Sequence, residues 1–221
     1  MTDDLPAYLR RRLGGPLPGR EAQVRLAPQP RRWPDADAPL RPAAALLLIY
    51  PHAEDWWIPL TVRVAAMRHH GGQVSLPGGR LDGPDETAAA AALREANEEI
   101  GLAAADVEVL GALTPLPITV SEHLLHPVVA AASRRPVFAP APQEVGRVIE
   151  VPIARLRHPD AIAWERRALA TGREVDIPYF DVSGVRVWGA TAMILAEFIA
   201  LLDEAPVPGA GLDARARGGV S

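Results

Sequence analysis

Three carboxylates near the end of one predicted helix carry the chemistry of this chain. In the segment LPGGRLDGPDETAAAAALREANEEIGL, residues 76–102, Glu95, Glu98 and Glu99 fall within five consecutive positions. At about 100° per residue they share one helical face. Ala89, Ala92, Leu93, Ala96 and Ile100 form a second stripe roughly 120° away, and that apolar stripe is the packing face. Like charges at i,i+3 and i,i+4 repel by a few tenths of a kcal/mol per pair. The three glutamates also lie in the last turns before Gly101, a natural C′ residue, where the helix dipole disfavours anions. Arg94, four residues before Glu98, offsets part of this. Breaking two local rules in one place points to function. Clustered carboxylates suit Mg²⁺ or Mn²⁺, hard cations that prefer oxygen ligands. A solvated acidic face has the same spacing, and spacing alone leaves both readings open.

The whole chain bounds what this site can be. Its 221 residues, 48% hydrophobic and 23% charged, suit one globular domain with extensions. The absence of cysteine excludes disulfides, thiolate metal sites and cysteine nucleophiles, and fits the cytoplasmic location expected for the chain. All 23 basic residues are arginine, so a lysine Schiff base or a P-loop lysine is excluded. A net charge of −4 gives no electrostatic case for a nucleic-acid partner. No apolar run approaches the roughly 18 residues of a membrane span, and the N-terminus lacks the apolar region of a signal peptide.

The elements that must position the carboxylates follow from periodicity. Residues 4–13 read as a short helix with Leu5, Tyr8, Leu9 and Leu13 on one side and a solvated Arg10–Arg12 cluster. Residues 15–42 are rich in proline and arginine and read as an arm laid over the domain, with Trp33 as its anchor. Residues 43–50 form a continuous apolar run, hence a buried strand, and 57–64 its hairpin partner. Trp56 and Trp57 read as packing residues. Gln73 to Leu76 reads as a short strand, and Pro77-Gly78-Gly79 as a turn into the helix. His69 and His70 read as loop residues. Asp85 is the expected N-cap. Further strands are expected at 106–113, 124–132, 147–151, 161–167, 175–182 and 185–188. Residues 114–122 read as a loop and 134–143 as a proline-rich connection. Residues 189–203 read as an amphipathic helix with Ala192, Leu195, Ala196, Ile199 and Leu202 on its apolar stripe. The expected organisation is an arm at 1–42, a mixed α/β domain at 43–203 and a disordered tail at 204–221.

The central stretch resembles the Nudix box, whose pattern is a glycine, five residues, a glutamate, seven residues, then Arg-Glu-hydrophobic-x-Glu-Glu-x-Gly-hydrophobic. Glu86 is followed after seven residues by Arg94-Glu95-Ala96-Asn97-Glu98-Glu99-Ile100-Gly101-Leu102, which matches with a small Ala96 at the hydrophobic slot. The first half departs: Arg80 stands at the glycine slot and Gly79 is one residue early. Either the loop is one residue longer or Glu86 is not the family's first glutamate. Upstream, Leu60-Thr61-Val62-Arg63, Arg68, Gly72 and Pro77-Gly78-Gly79 resemble the motif of the coenzyme A diphosphatase branch of Nudix hydrolases, with Pro59, Val64 and Leu76 departing. Ser121 with Pro127, Glu144-Val145, Val151-Pro152-Ile153 and 187–192 resemble its later blocks.

This resemblance implies a Nudix-type α/β/α sandwich with a mixed β-sheet between helices. It also implies hydrolysis of a diphosphate that links a nucleoside to another group. Glu95, Glu98 and Glu99 would hold Mg²⁺ or Mn²⁺, which offset the substrate's negative charge and activate water. Arg94 would orient those carboxylates. Gly78 and Gly79 would form the floor of the site, and Arg63 and Arg68 would contact phosphate. Glu144 is the candidate general base, unless the metal site makes one unnecessary. The implied partner is a coenzyme A-like nucleotide, cleaved to 3′,5′-ADP and 4′-phosphopantetheine. Other substrates stay open, namely NADH, ADP-ribose, dinucleoside polyphosphates or capped nucleotides, as does a silent Nudix-like binding module. A homodimer is one possible assembly, and sequence does not fix the oligomeric state.

Overall fold

A computed structural model describes residues 4–31, 33–35, 38–64, 72–168 and 174–203. The expected tail at 204–221, Arg68, His69 and His70 lie outside the described residues.

The organising strand is β1, Arg41–His52. Its residues 43–50 are buried without a break, so both of its faces are covered. It pairs antiparallel with β2 (Asp55–Arg63) at one end and with β4 (Gly78–Arg80) at the other. Along most of its length it pairs in parallel with β7 (His123–Ala132). Strands β3 (Val74–Ser75), β5 (Val107–Ala112), β6 (Leu116–Ile118) and β8 (Val145–Pro152) complete an eight-stranded mixed sheet. A smaller antiparallel sheet holds β9 (Ile162–Ala168), β10 (Glu174–Val182) and β11 (Val185–Trp188).

Helices cover both faces of β1, as a sandwich requires. On one face Ala44, Leu46, Leu48 and Tyr50 pack with Ala91, Ala92, Ala96 and Ile100 of α3 (Ala88–Ile100). On the other, Ala45, Leu47 and Ile49 join Leu5 and Leu9 of α1 (Leu5–Leu13) and Leu195 and Phe198 of α5 (Gly189–Asp203). Among the described residues two short helices, α2 (Gly19–Val24) and α4 (Ile153–Leu156), complete the α-helices.

Four expectations change. Of the expected Pro77-Gly78-Gly79 turn, only Pro77 is a bend; Gly78 and Gly79 belong to a strand, because Ala44 and Ala45 of β1 offer them backbone partners. The N-cap of α3 is Thr87, not Asp85; its hydroxyl accepts from the Ala90 amide at 3.1 Å. The 114–122 loop contains β6. Helix α5 is buried nearly all round rather than on one stripe, with Met193, Ile194, Phe198 and Leu201 all enclosed. Helix α2 of the arm packs on α5, which is why the second side is covered.

Candidate active site

The glycine pair of β4 sets the floor. A Cβ on Gly78 would stand 2.3 Å from the Ala44 carbonyl oxygen, so only glycine lets β4 lie against β1 there. A Cβ on Gly79 would stand 2.4 Å from the Glu95 carboxylate. The Glu95 side chain therefore rests on the strand backbone, in the volume that any other residue would fill.

Arg94 ties the box together. Its Nε and Nη2 donate to the two oxygens of Glu86 at 3.0 and 3.2 Å, and Nη1 donates to Glu95 Oε1 at 2.7 Å. Nη2 also donates to the Arg80 carbonyl at 2.9 Å, while Glu98 lies 3.5 Å from Nη1. The i,i+4 pair read from the sequence is thus present but secondary to the fork on Glu86. Glu86 also accepts from the Asp82 amide at 2.6 Å, and these hydrogen bonds hold its carboxyl below the usual range. The carboxylates push the Arg94 guanidinium further into its charged form. Glu86 therefore has a place despite the register slip, as the partner that fixes Arg94.

The three box glutamates differ sharply in exposure. The side chain of Glu98 is 59% exposed, that of Glu95 17% and that of Glu99 4%. The sequence places the three glutamates on one helical face and leaves a solvated face and a metal site both open; in the structure Glu99 lies on the packed side with Ala92, Ala96 and Ile100. Its Oε2 is buried without a hydrogen-bond partner. Arg63, at the end of β2, stands 3.8 Å from Oε1, beyond hydrogen-bond reach, and its own Nε is buried and unpartnered. Burial pushes the Glu99 carboxyl up to about 7; the Arg63 charge and the Gly78 amide pull it down, while Glu95 and Glu144 add to the rise.

Glu144 lies in the turn just before β8 and is exposed. The chain leading to it is docked on the end of α3. The Ala139 amide donates to the Ile100 carbonyl and the Ala141 amide to the Glu99 carbonyl, each at 2.9 Å. These close helix-end carbonyls that would otherwise lack partners. The Glu144 carbonyl accepts from Val64 at 3.0 Å, next to Arg63. Sequence reasoning missed what steadies this loop. The buried Tyr50 hydroxyl donates to Glu150 Oε2 at 2.6 Å, Arg135 Nε donates to the same oxygen at 2.9 Å, and Phe138 packs edge-on against Tyr50. Only a polar tip at the end of an apolar run hinted at Tyr50.

The donor set suits a hard divalent ion: it is all carboxylate oxygen, and Glu99 Oε2 is a buried acceptor with no donor. Among the described residues, no three acidic or histidine side chains close round a common point as they stand. Glu95 is held by Arg94 through Oε1, and Glu98 faces solvent. The structure brings Arg63, Gly78, Gly79, Arg94, Glu95, Glu99 and Glu144 together; Glu98 sits at the rim.

Comparison with known proteins gives matches to one domain family. A NUDIX domain family model matches residues 39–171. The uncharacterized Nudix hydrolase NudL of Photorhabdus laumondii is 33% identical over 176 residues, covering 78% of this chain and 89% of that protein. The mitochondrial Nudix hydrolase 15 of Arabidopsis thaliana is 33% identical over 78% of this chain and 62% of its own length. Among solved structures, the Nudix hydrolase RenU of M. smegmatis aligns with a TM-score of 0.52 at 21% identity, covering 76% of this chain and 88% of that one.

Proposed function

The chain belongs to the Nudix family, and from that premise we propose that it hydrolyses the diphosphate of coenzyme A or its derivatives, releasing 3′,5′-ADP and 4′-phosphopantetheine or its acyl form. Nudix hydrolases act on nucleoside diphosphate derivatives and generally use divalent metal ions. What supports the narrower substrate is the approach of Arg63 to Glu99, 3.8 Å apart. Arg63 belongs to the block that resembles the coenzyme A branch, and Glu99 to the general box.

In this reading Glu95, Glu98 and Glu99 hold Mg²⁺ or Mn²⁺, which supplies charge neutralisation and water activation when bound. Arg94 keeps Glu95 oriented while Glu86 keeps Arg94 oriented. Arg63 and Arg68 offer forked donors to phosphate oxygens. The Gly79 backbone supports the Glu95 carboxylate. Glu144 accepts the proton of the attacking water. A Glu144→Gln variant with unchanged turnover at saturating Mg²⁺ removes it from the mechanism.

The test is a panel of coenzyme A, its thioesters, NADH, ADP-ribose and dinucleoside polyphosphates with Mg²⁺ or Mn²⁺, with products identified by mass. The expected outcome is cleavage of coenzyme A to 3′,5′-ADP. If coenzyme A stays intact while another nucleotide is cut, the substrate reading fails and the family stands.

A further inference from the structure

The N-terminal arm carries two arginines against one tryptophan. The guanidinium carbons of Arg20 and Arg31 lie 4.4 and 4.3 Å from the ring centroid of Trp33. Trp33 is partly buried against the main core, so the platform is fixed to the fold. Arg31 Nη2 donates to the Pro117 carbonyl at 2.9 Å, while its Nε is buried without a partner. Among the described residues no carboxylate stands within ion-pair distance of either guanidinium. Among the described residues, at least ten of the sixteen other arginines do have one, including Arg10, Arg94, Arg135, Arg157, Arg166 and Arg186.

Two like charges beside one ring, one of them partly desolvated, is an unfavourable arrangement unless something anionic completes it. Burial and the neighbouring Arg20 both pull the Arg31 pKa down, the direction expected of a cation that lacks its counter-charge. Stacking on an indole occupies the flat face of a guanidinium and leaves its in-plane N–H groups for an acceptor. Arg63 at the candidate active site shows the same sign, a buried Nε without a partner.

We propose that Arg20, Arg31 and Trp33 form a second anion site, separate from the box carboxylates, which takes a phosphate monoester or inorganic phosphate. Arg31 and Arg20 supply the charged donors, and Trp33 holds their planes. The phosphate has two possible sources: one on the substrate away from the diphosphate that is cut, or a free anion acting on the arm. The site itself does not rest on the coenzyme A reading; only the first source does.

The test titrates inorganic phosphate into the full chain, in phosphate-free buffer with a chelator, by calorimetry and tryptophan fluorescence. Saturable binding is expected. Arg31→Gln and Arg20→Gln should each weaken it about tenfold or more. Trp33→Phe should remove the fluorescence response. Thermal melts of each variant separate lost binding from lost folding. No saturable binding, or an isotherm unchanged in both arginine variants, overturns the proposal. The source is then read from kinetics on coenzyme A and dephospho-coenzyme A. A KM for coenzyme A that rises in Arg31→Gln, with kcat and the dephospho KM unmoved, assigns the site to the substrate's own phosphate. Unmoved KM values with lost phosphate binding assign it to a free anion. If coenzyme A is not a substrate at all, the phosphate isotherms still decide the site.

Discussion

Glu99 and Glu197 are both buried glutamates on helices that flank the same strand, and they have opposite surroundings. Glu197, on α5, is fully enclosed, and both of its oxygens are satisfied. Oε1 accepts from the Gly19 and Thr114 amides at 3.1 and 3.2 Å, and Oε2 from Gln23 Nε2 at 2.7 Å. It joins the arm, α5 and the chain after β5 at one point. Glu99, on α3, has one oxygen with no donor and an arginine held just out of reach. Burial alone therefore does not mark a functional carboxylate. The Glu197 side is satisfied by its own fold; the Glu99 side keeps a buried acceptor without a donor, the acceptor that the proposed metal would complete.

That contrast can be broken in three ways. The largest effect is expected from Glu197→Leu, which strands one buried and two part-buried N–H donors and should cost about 3–5 kcal/mol in chemical denaturation. Activity per folded molecule should stay close to that of the parent chain. Lost activity at full stability would show that Glu197 belongs to the chemistry. Next, Glu99→Gln should lower turnover at least about a hundredfold, while the melting temperature of the metal-free protein holds or rises, since an unsatisfied buried carboxylate is removed. A destabilised Glu99→Gln protein with normal turnover reverses the two roles.

The third and smallest effect is a pH slope. The folded state raises the Glu99 carboxyl from 4.5 to about 7, so it binds that proton more tightly than the unfolded chain. The associated stability is full below pH 4.5 and is lost as pH rises to about 7. Metal-free protein should therefore lose stability over that window, and the slope should vanish in Glu99→Gln. Saturating Mg²⁺ should remove it too, because a bound cation favours the charged carboxylate. An identical slope in the parent and in Glu99→Gln places the titration elsewhere.

What could be read from the sequence were the local, periodic features. Helix α5 runs from Gly189 to Asp203 as expected, and α3 ends at Gly101 with φ 70°, the left-handed conformation its glycine implied. The apolar run of β1, the strands near 124–132 and 147–151 and the antiparallel pair 162–168 and 174–182 also followed from pattern. Glu95, Glu98 and Glu99 stood out because they broke rules that operate within one helix. Such signals need only neighbours three or four residues away.

The tertiary structure decided everything that depends on distant partners. It made 78–80 a strand, since β1 was there to pair with it. It enclosed Glu99 and left Glu98 in solvent; helical phase sets Glu99 beside the apolar stripe and Glu98 almost opposite it, and the packed partners turn that tendency into burial. It gave Glu86 to Arg94 across eight residues, Glu150 to Tyr50 across 100 and Glu197 to Gly19 across 178. A carboxylate's role is set by which donors reach it, and those donors are brought together only when the chain has folded.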